Sequence, residues 1–286
     1  MDPYLMKTAI ITDSTAYISE EIRSNYHIHM VPLSVIFGEE TYREEVDMTA
    51  DQYFEKIKEA KNLPTTSQPA IGEFVELFEQ LKRDQFDAAI VITLSSGISG
   101  TYQGALTAGS MVEDFDVHVF DSEISCMVQG FYAIEGAEMV QLNKHPDEII
   151  ARFEEMKLSM RAYFMVDDLS HLQRGGRLNA AQAIIGSLLQ VKPVLHFESK
   201  KIVPFEKIRT RKRALKRITE LLDEDATENV PMKAVVIHSN RENEAKEIQR
   251  DLEQEYPHIE WSLSYFGAVI GTHLGEGAIG IGWYKK

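Results

Sequence analysis

Short apolar runs rich in β-branched residues alternate along this chain with longer segments whose apolar positions recur at helical spacing. The clearest run, Ala88-Ala89-Ile90-Val91-Ile92-Thr93-Leu94, is too short for an ordinary helix and predicts a buried strand. It empties into Ser95-Ser96-Gly97-Ile98-Ser99-Gly100, and the segment 101–111 then predicts a helix with serine and threonine ahead of it as caps. The chain begins the same way, with a strand over 8–11, a polar loop at Thr12-Asp13-Ser14-Thr15 and a helix over 19–26. Further strands are predicted over 30–37, 117–120, 162–166, 234–238 and 261–263, with a hairpin of 194–197 and 201–205 around Glu198-Ser199-Lys200.

The helical segments carry their own punctuation. Thr49 with Gln52 resembles a capping box opening a helix that runs to 61. Leu63-Pro64-Thr65-Thr66-Ser67-Gln68-Pro69 breaks it, since prolines do not sit in helix interiors, and holds three consecutive hydroxyls on a stiff loop. Pro69 suits the first turn of the next helix, through 82. Helices follow over 127–142, 146–160, 210–222 and 241–256, and the apolar run 180–191, with Ile184, Ile185, Leu188 and Leu189, reads as core helix. The stretch 267–284 is dense in glycine.

Alternating strands and helices argue for an α/β fold, with mostly parallel sheets flanked by helices. At 286 residues with 44% hydrophobic content, two domains are expected, 1–160 and 161–286, the boundary falling just before the strand at 162–166. If the early strands run parallel, the loops Thr12–Thr15, Ser95–Thr101 and Asp121-Ser122 share one sheet edge, and Thr65–Ser67 leans over it. Hydroxyls, free amides and a helix start gathered there suit a bound anion. Taken alone, each loop is equally served by the plainer reading of a capped helix.

Charge and composition narrow the partners. The formal net charge is -15, from 45 acidic against 30 basic residues, so the surface repels nucleic acid and anionic lipid, and any anion must be captured locally. A single cysteine, Cys126, excludes an internal disulfide and a cysteine cluster for zinc. No apolar run approaches bilayer length and no signal pattern precedes Met6, so the expectation is a soluble, cytoplasmic protein without stable membrane insertion.

Several chemistries fail on spacing. Gly275-Glu276-Gly277-Ala278-Ile279-Gly280 has the letters of a dinucleotide fingerprint but lacks the helix and second strand that must follow. No phosphate-binding loop or kinase signature occurs, and nine histidines offer no paired metal motif, so no cofactor and no metal are expected. Gly97-Ile98-Ser99-Gly100-Thr101 departs from a nucleophile elbow, which leaves a serine-dependent hydrolase or transferase using Ser95 or Ser96 as the alternative function. His273 is set apart by flanking glycines that let its backbone approach a ligand. Two glycines in Leu172-Gln173-Arg174-Gly175-Gly176-Arg177 turn tightly between two cations, and Lys207, Arg209, Arg211, Lys212, Arg213, Lys216 and Arg217 form one basic cluster.

Six features in order, Thr12-Asp13-Ser14, Pro64 through Pro69, Ser95 through Gln103, Asp121-Ser122, Leu172 through Arg177 and Gly271-Thr272-His273, resemble the DegV family. That resemblance implies a non-enzymatic bacterial fatty-acid-binding protein, two α/β domains enclosing an acyl chain, and service as the binding subunit of a fatty acid kinase. Thr66 and Ser95 would hydrogen-bond the carboxylate of a long-chain fatty acid, Ser96 would offer its amide, and His273 and Arg174 would flank the headgroup. Ile184, Ile185, Leu188 and Leu189 are candidates to line the tail. The carboxylate would be presented to a separate ATP-dependent kinase that forms the acyl phosphate and docks near Arg209 and Arg213. Where the family pattern suggests Gly-Pro-Gly, this chain has Gly275-Glu276-Gly277, which is expected to loosen that turn and add negative charge.

Overall fold

The computed structural model describes residues 6–179, 191–226 and 230–286, so Ile184, Ile185, Leu188 and Leu189 lie outside the described residues. In chain order, β1 (Thr8–Asp13) leads through a short 3-10 turn, Ser14–Ala16, and α1 (Glu20–Tyr26) to β2 (Ile28–Val31). Next come β3 (Ser34–Phe37), β4 (Glu40–Arg43), α2 (Ala50–Glu59), β5 (Thr65–Ser67) and α3 (Ile71–Arg83). The first half closes with β6 (Ala88–Thr93), α4 (Thr101–Met111), β7 (Asp116–Asp121), α5 (Cys126–Gln141) and α6 (Pro146–Ser159). The second half runs β8 (Arg161–Met165), α7 (Ser170–Arg174), β9 (Val194–Glu198), β10 (Lys201–Glu206), α8 (Arg211–Asp225) and β11 (Met232–His238). It ends with α9 (Glu242–Glu255), β12 (Ile259–Tyr265), α10 (Ala268–Leu274) and β13 (Ile279–Lys285).

The α/β class holds, and the sheets divide as the chain does. One sheet, ordered β2-β1-β6-β7, is parallel throughout. The other, ordered β10-β9-β8-β13-β11-β12, is mixed, with β11 and β12 parallel and the remaining pairs antiparallel. Two local causes produce the mixture. Ser199 and Lys200 both take positive φ, the backbone of a tight two-residue hairpin that forces β9 and β10 to oppose. The last strand, β13, then inserts between β8 and β11 and runs against both.

Two expectations needed revision. The run 30–37 is not one strand, because Pro32 interrupts it; β3 leaves the first sheet and joins β4 and β5 in a small antiparallel sheet. Thr65–Ser67, expected as a loop, is an edge strand of that sheet, with Thr66 opposite Val35. The proline flanks stop the neighbouring helices but leave these three residues extended.

The layers alternate helix, sheet, helix, sheet, helix. Ala9, Ile11, Ala89 and Val91 pack on Phe74 and Phe78 of α3 and Ala105 and Ala108 of α4. The opposite face of that sheet, with Ile10, Ile90, Ile92 and Phe120, meets α5 and α6. The same two helices meet the second sheet, where the rings of Phe131 and Tyr284 lie 5.3 Å apart. This is why α5 is buried around most of its circumference, with ten residues out of solvent. Beyond the second sheet, Val236, Ile281 and Trp283 pack on α8 and α9.

Candidate functional site

Helix α10 carries the wall of an internal passage. Ile270, His273 and Leu274 stand at i, i+3 and i+4, so they share one face of the helix, and that face borders a cavity of about 260 Å³. At its outer end Thr66, Arg177 and His273 also bound a wider opening of about 540 Å³, whose rim includes Lys61, His171 and Arg174. At its inner end Ile98, Ile202, Ile270 and Leu274 are shared with a recess of about 40 Å³ lined by Val128, Ala162, Phe164, Phe197 and Phe266. The three spaces are therefore continuous in their walls. Cations and hydroxyls sit at the outer gate, and the lining becomes aromatic and aliphatic with depth.

The gate has a defined geometry. Thr66 Oγ1 lies 2.8 Å from His273 Nε2, joining β5 to α10 across more than two hundred residues of chain. Burial first, then the Arg177 guanidinium and His171, pushes the His273 imidazole down to about 4, so the ring is neutral at pH 7. Its Nδ1 is buried and has no hydrogen-bond partner among the described residues. An orphaned acceptor is cheaper than an orphaned N–H, so the proton belongs on Nε2, donated to Thr66, whose own hydroxyl hydrogen is free to donate elsewhere. Gly175 makes this possible: a Cβ there would lie 2.3 Å from His273 Nδ1. Arg177 is fixed from two sides, Nε donating to the Ile98 carbonyl at 3.1 Å and Nη1 to the Gly175 carbonyl at 2.6 Å.

The expected residues fall into two groups. Thr66 and His273 come together at the gate, and Arg174 lies on the rim with its guanidinium 3.3 Å from His171 Nδ1. Ser95 and Ser96 are not among the residues lining the three spaces. The Ser95 hydroxyl is fully buried and donates to the Lys200 carbonyl at 2.6 Å. The Ser96 hydroxyl and amide both donate to the Asp121 carboxylate, at 2.5 and 3.1 Å. Neither serine has a histidine as hydrogen-bond partner, so nothing supports the nucleophile alternative.

The parallel strands do bring the polar loops to one sheet edge, but much of the anion they hold is the chain's own. Asp13 accepts from the Leu94 amide at 2.7 Å and from Thr15, and burial pushes its carboxyl up to about 6. Ser14 donates to Glu44 at 2.6 Å. With Asp121 holding Ser96, three internal carboxylates occupy the hydroxyl loops. The sequence places a cation on each side of the glycine pair but does not single out Arg177 as the gate cation. The positive φ of Gly176 reverses the backbone between them and turns Arg177 toward Ile98. The turn at Glu276 is not loose: Gly275 and Gly277 supply positive φ, the Gly277 amide donates to the Ser239 carbonyl, and Glu276 pairs with Arg241.

The basic cluster is partly neutralised. Arg211 forks onto Glu244, Arg217 reaches Glu206, and Lys216 pairs with Glu220, whereas Arg209 and Arg213 are exposed. Among the described residues no cluster suited to a metal ion occurs, and no helix is long and apolar enough to cross a membrane.

A family model described as an uncharacterised protein of the DegV family matches residues 7–286. The chain belongs to the DegV family. It is 61% identical over 282 residues to the protein named DegV of Bacillus subtilis (strain 168), which spans 98% of this chain and 100% of that protein. A solved structure described as DegV, a fatty acid binding protein from Bacillus subtilis, superposes with a TM-score of 0.94 at 60% identity, over 98% of this chain and 100% of that one. A fatty acid binding DegV family protein from Streptococcus agalactiae gives 0.90 at 33% identity, over 98% and 99%. Both solved structures are described as fatty acid binding proteins.

Proposed function

We propose that this protein binds a long-chain fatty acid, with the acyl chain running along the internal cavity into the apolar recess and the carboxylate at the gate of Thr66, His273 and Arg177. The observation that carries this reading is the graded passage itself, polar and cationic at one end and apolar at the other, in a chain whose solved relatives are described as fatty acid binding. At about 0.8 kcal/mol per buried methylene, a long chain contributes on the order of 10 kcal/mol gross, so the tail sets affinity. The gate sets polarity: the Thr66 hydroxyl donates to the carboxylate and Arg177 supplies the opposite charge. Arg174 stands at the rim. The Ser95 hydroxyl and the Ser96 amide join the headgroup once they exchange their bonds to Lys200 and Asp121.

The carboxylate end faces the wide opening, which suits presentation to a second protein. We infer that a separate cytoplasmic, ATP-dependent kinase receives it there, docking near Arg209 and Arg213, and that 1–160 and 161–286 act as two domains enclosing the ligand. Acyl-phosphate formation in the presence of such a kinase tests this. Arg174→Ala is expected to lower it with lipid occupancy intact, and undiminished activity removes Arg174 from the mechanism.

A further inference from the structure

Glu44, which follows β4, is fully buried at 0% exposure, and its largest electrostatic influences are burial, its hydrogen-bond donors and the neighbouring Glu45 rather than a cation. Its Oε1 accepts from the Tyr17 hydroxyl at 2.9 Å and the Val269 amide at 2.7 Å, and its Oε2 accepts from the Ser14 hydroxyl at 2.6 Å. The Tyr17 oxygen in turn accepts from the Ile270 amide at 3.2 Å, and Ser14 Oγ accepts from the Leu33 amide at 3.0 Å. Val269 and Ile270 belong to the first turn of α10, where amides lack helical partners. One carboxylate from the first half thus clasps, directly and through Tyr17, the helix that presents Ile270, His273 and Leu274 to the passage. The fit is close: a Cβ on Gly267 would lie 2.2 Å from Tyr17 Cε1 and 2.9 Å from Glu44 Oε1.

This arrangement accommodates a proton without rearranging its heavy atoms. Oε1 keeps both of its accepted bonds while Oε2–H donates to the second lone pair of Ser14 Oγ, whose own hydrogen turns away from the carboxylate. The ionised form accepts all three donors but stays buried with no opposite charge, which is costly. We propose that Glu44 is a proton-linked positioning residue: protonated, it keeps the clasp on α10 closed and the ligand retained, and ionisation favours an open clasp in which the carboxylate reaches water and the ligand leaves. This inference rests on the fatty-acid reading above.

Burial, opposed by hydrogen bonds from Ser14, Val269 and Tyr17, pushes the Glu44 carboxyl up to about 7 from an ordinary 4.5. A raised carboxyl binds its proton more tightly in the closed state. The closing contribution is therefore full below about 4.5, is lost as pH rises toward about 7, and is flat above. The facing groups are few. Glu45 adds negative charge from the next position, with Arg23 acting on Glu45. Tyr17 from the turn after β1, Cys126 from α5 and Tyr265 from β12 are all raised by burial, so they stay neutral. Asp13, at the end of β1, titrates at about 6 and is common to every variant below.

The test follows release of hexadecyl sulfonate, whose headgroup stays ionised, from the delipidated full-length protein. Release is expected to be on the order of tenfold faster near pH 8 than near pH 5.5. Glu44→Gln imitates the protonated carboxyl, its amide donating to Ser14, and is expected to release at the slow acid rate throughout. Tyr17→Phe removes a donor that favours the anion and shifts the parent's midpoint upward by roughly one unit, which keeps the test decisive should the glutamine variant not fold. A flat parent profile, or the same profile in Glu44→Gln, overturns the clasp. Failure of the parent to take up either hexadecyl sulfonate or palmitate overturns the lipid reading instead.

Discussion

Gly175→Ala separates head from tail recognition with a single methyl group. The added Cβ would lie 2.3 Å from His273 Nδ1 and 3.0 Å from Cε1, about 1 Å inside ordinary contact with the nitrogen. The ring cannot yield by that amount and keep its 2.8 Å hydrogen bond to Thr66, because Nε2 lies across the same rigid ring. Gly175 itself has negative φ, so the backbone tolerates alanine and the damage is confined to the contact. Without that bond the Thr66 hydroxyl is no longer oriented to donate to the carboxylate, and losing this one hydrogen bond to a charged group costs roughly 1.5–3 kcal/mol, which weakens fatty acid binding on the order of 10- to 100-fold. The assay is competitive displacement of a fluorescent fatty acid by palmitate and, in parallel, by hexadecanol, which has the same tail but no carboxylate. Palmitate affinity is expected to fall while hexadecanol affinity holds. Equal loss for both ligands, or no loss for palmitate in a folded variant, refutes the assignment of His273 and Thr66 to the head.

Three further outcomes follow from the same geometry. Thr66→Val removes the hydroxyl that links His273 to the ligand and leaves Nε2 buried without a partner, so palmitate affinity should drop roughly 10-fold; isothermal titration showing parent affinity would contradict this. Ala162→Leu fills the apolar recess and should shift the lipid profile recovered from cells toward shorter chains, read by mass spectrometry of the extract, with an unchanged profile counting against a tail there. His273, depressed from an ordinary 6.5 to about 4, contributes stability that is full above about 6.5 and lost as pH falls toward about 4. His273→Asn should therefore flatten the acid side of the stability curve, by about 2 kcal/mol near pH 5 in urea melts; parallel curves for variant and parent would show that the ring is not held neutral.

How much of this was legible in the sequence depended on the range of the interaction. The run 88–93 could only be a buried strand, and its hydroxyl loop and following helix are local consequences, so the first sheet and its shared edge could be read directly. The antiparallel entry of β13 between β8 and β11 is a matter of sheet order, which periodicity does not encode. Thr65–Ser67 has no alternation of apolar and polar side chains, so nothing marked it as a strand until β3 supplied its partner. The hydroxyl loops look ready for an external anion because the carboxylates that fill them meet them across the chain: Asp13 reaches Leu94, Asp121 reaches Ser96 and Glu44 reaches Ser14. Arg174 and Arg177 are three residues apart around one glycine pair, and only the backbone of Gly176 decides which of them turns inward.

An acyl chain enclosed with its carboxylate at the Thr66–His273 gate is read out by mass spectrometry of an organic extract from the purified, denatured protein. Free long-chain fatty acids are expected at close to one molecule per chain, reduced in Gly175→Ala and Thr66→Val preparations. An extract without fatty acid from a protein that also takes up none when it is supplied, or lipid recovered only as an ester on a serine, would contradict it.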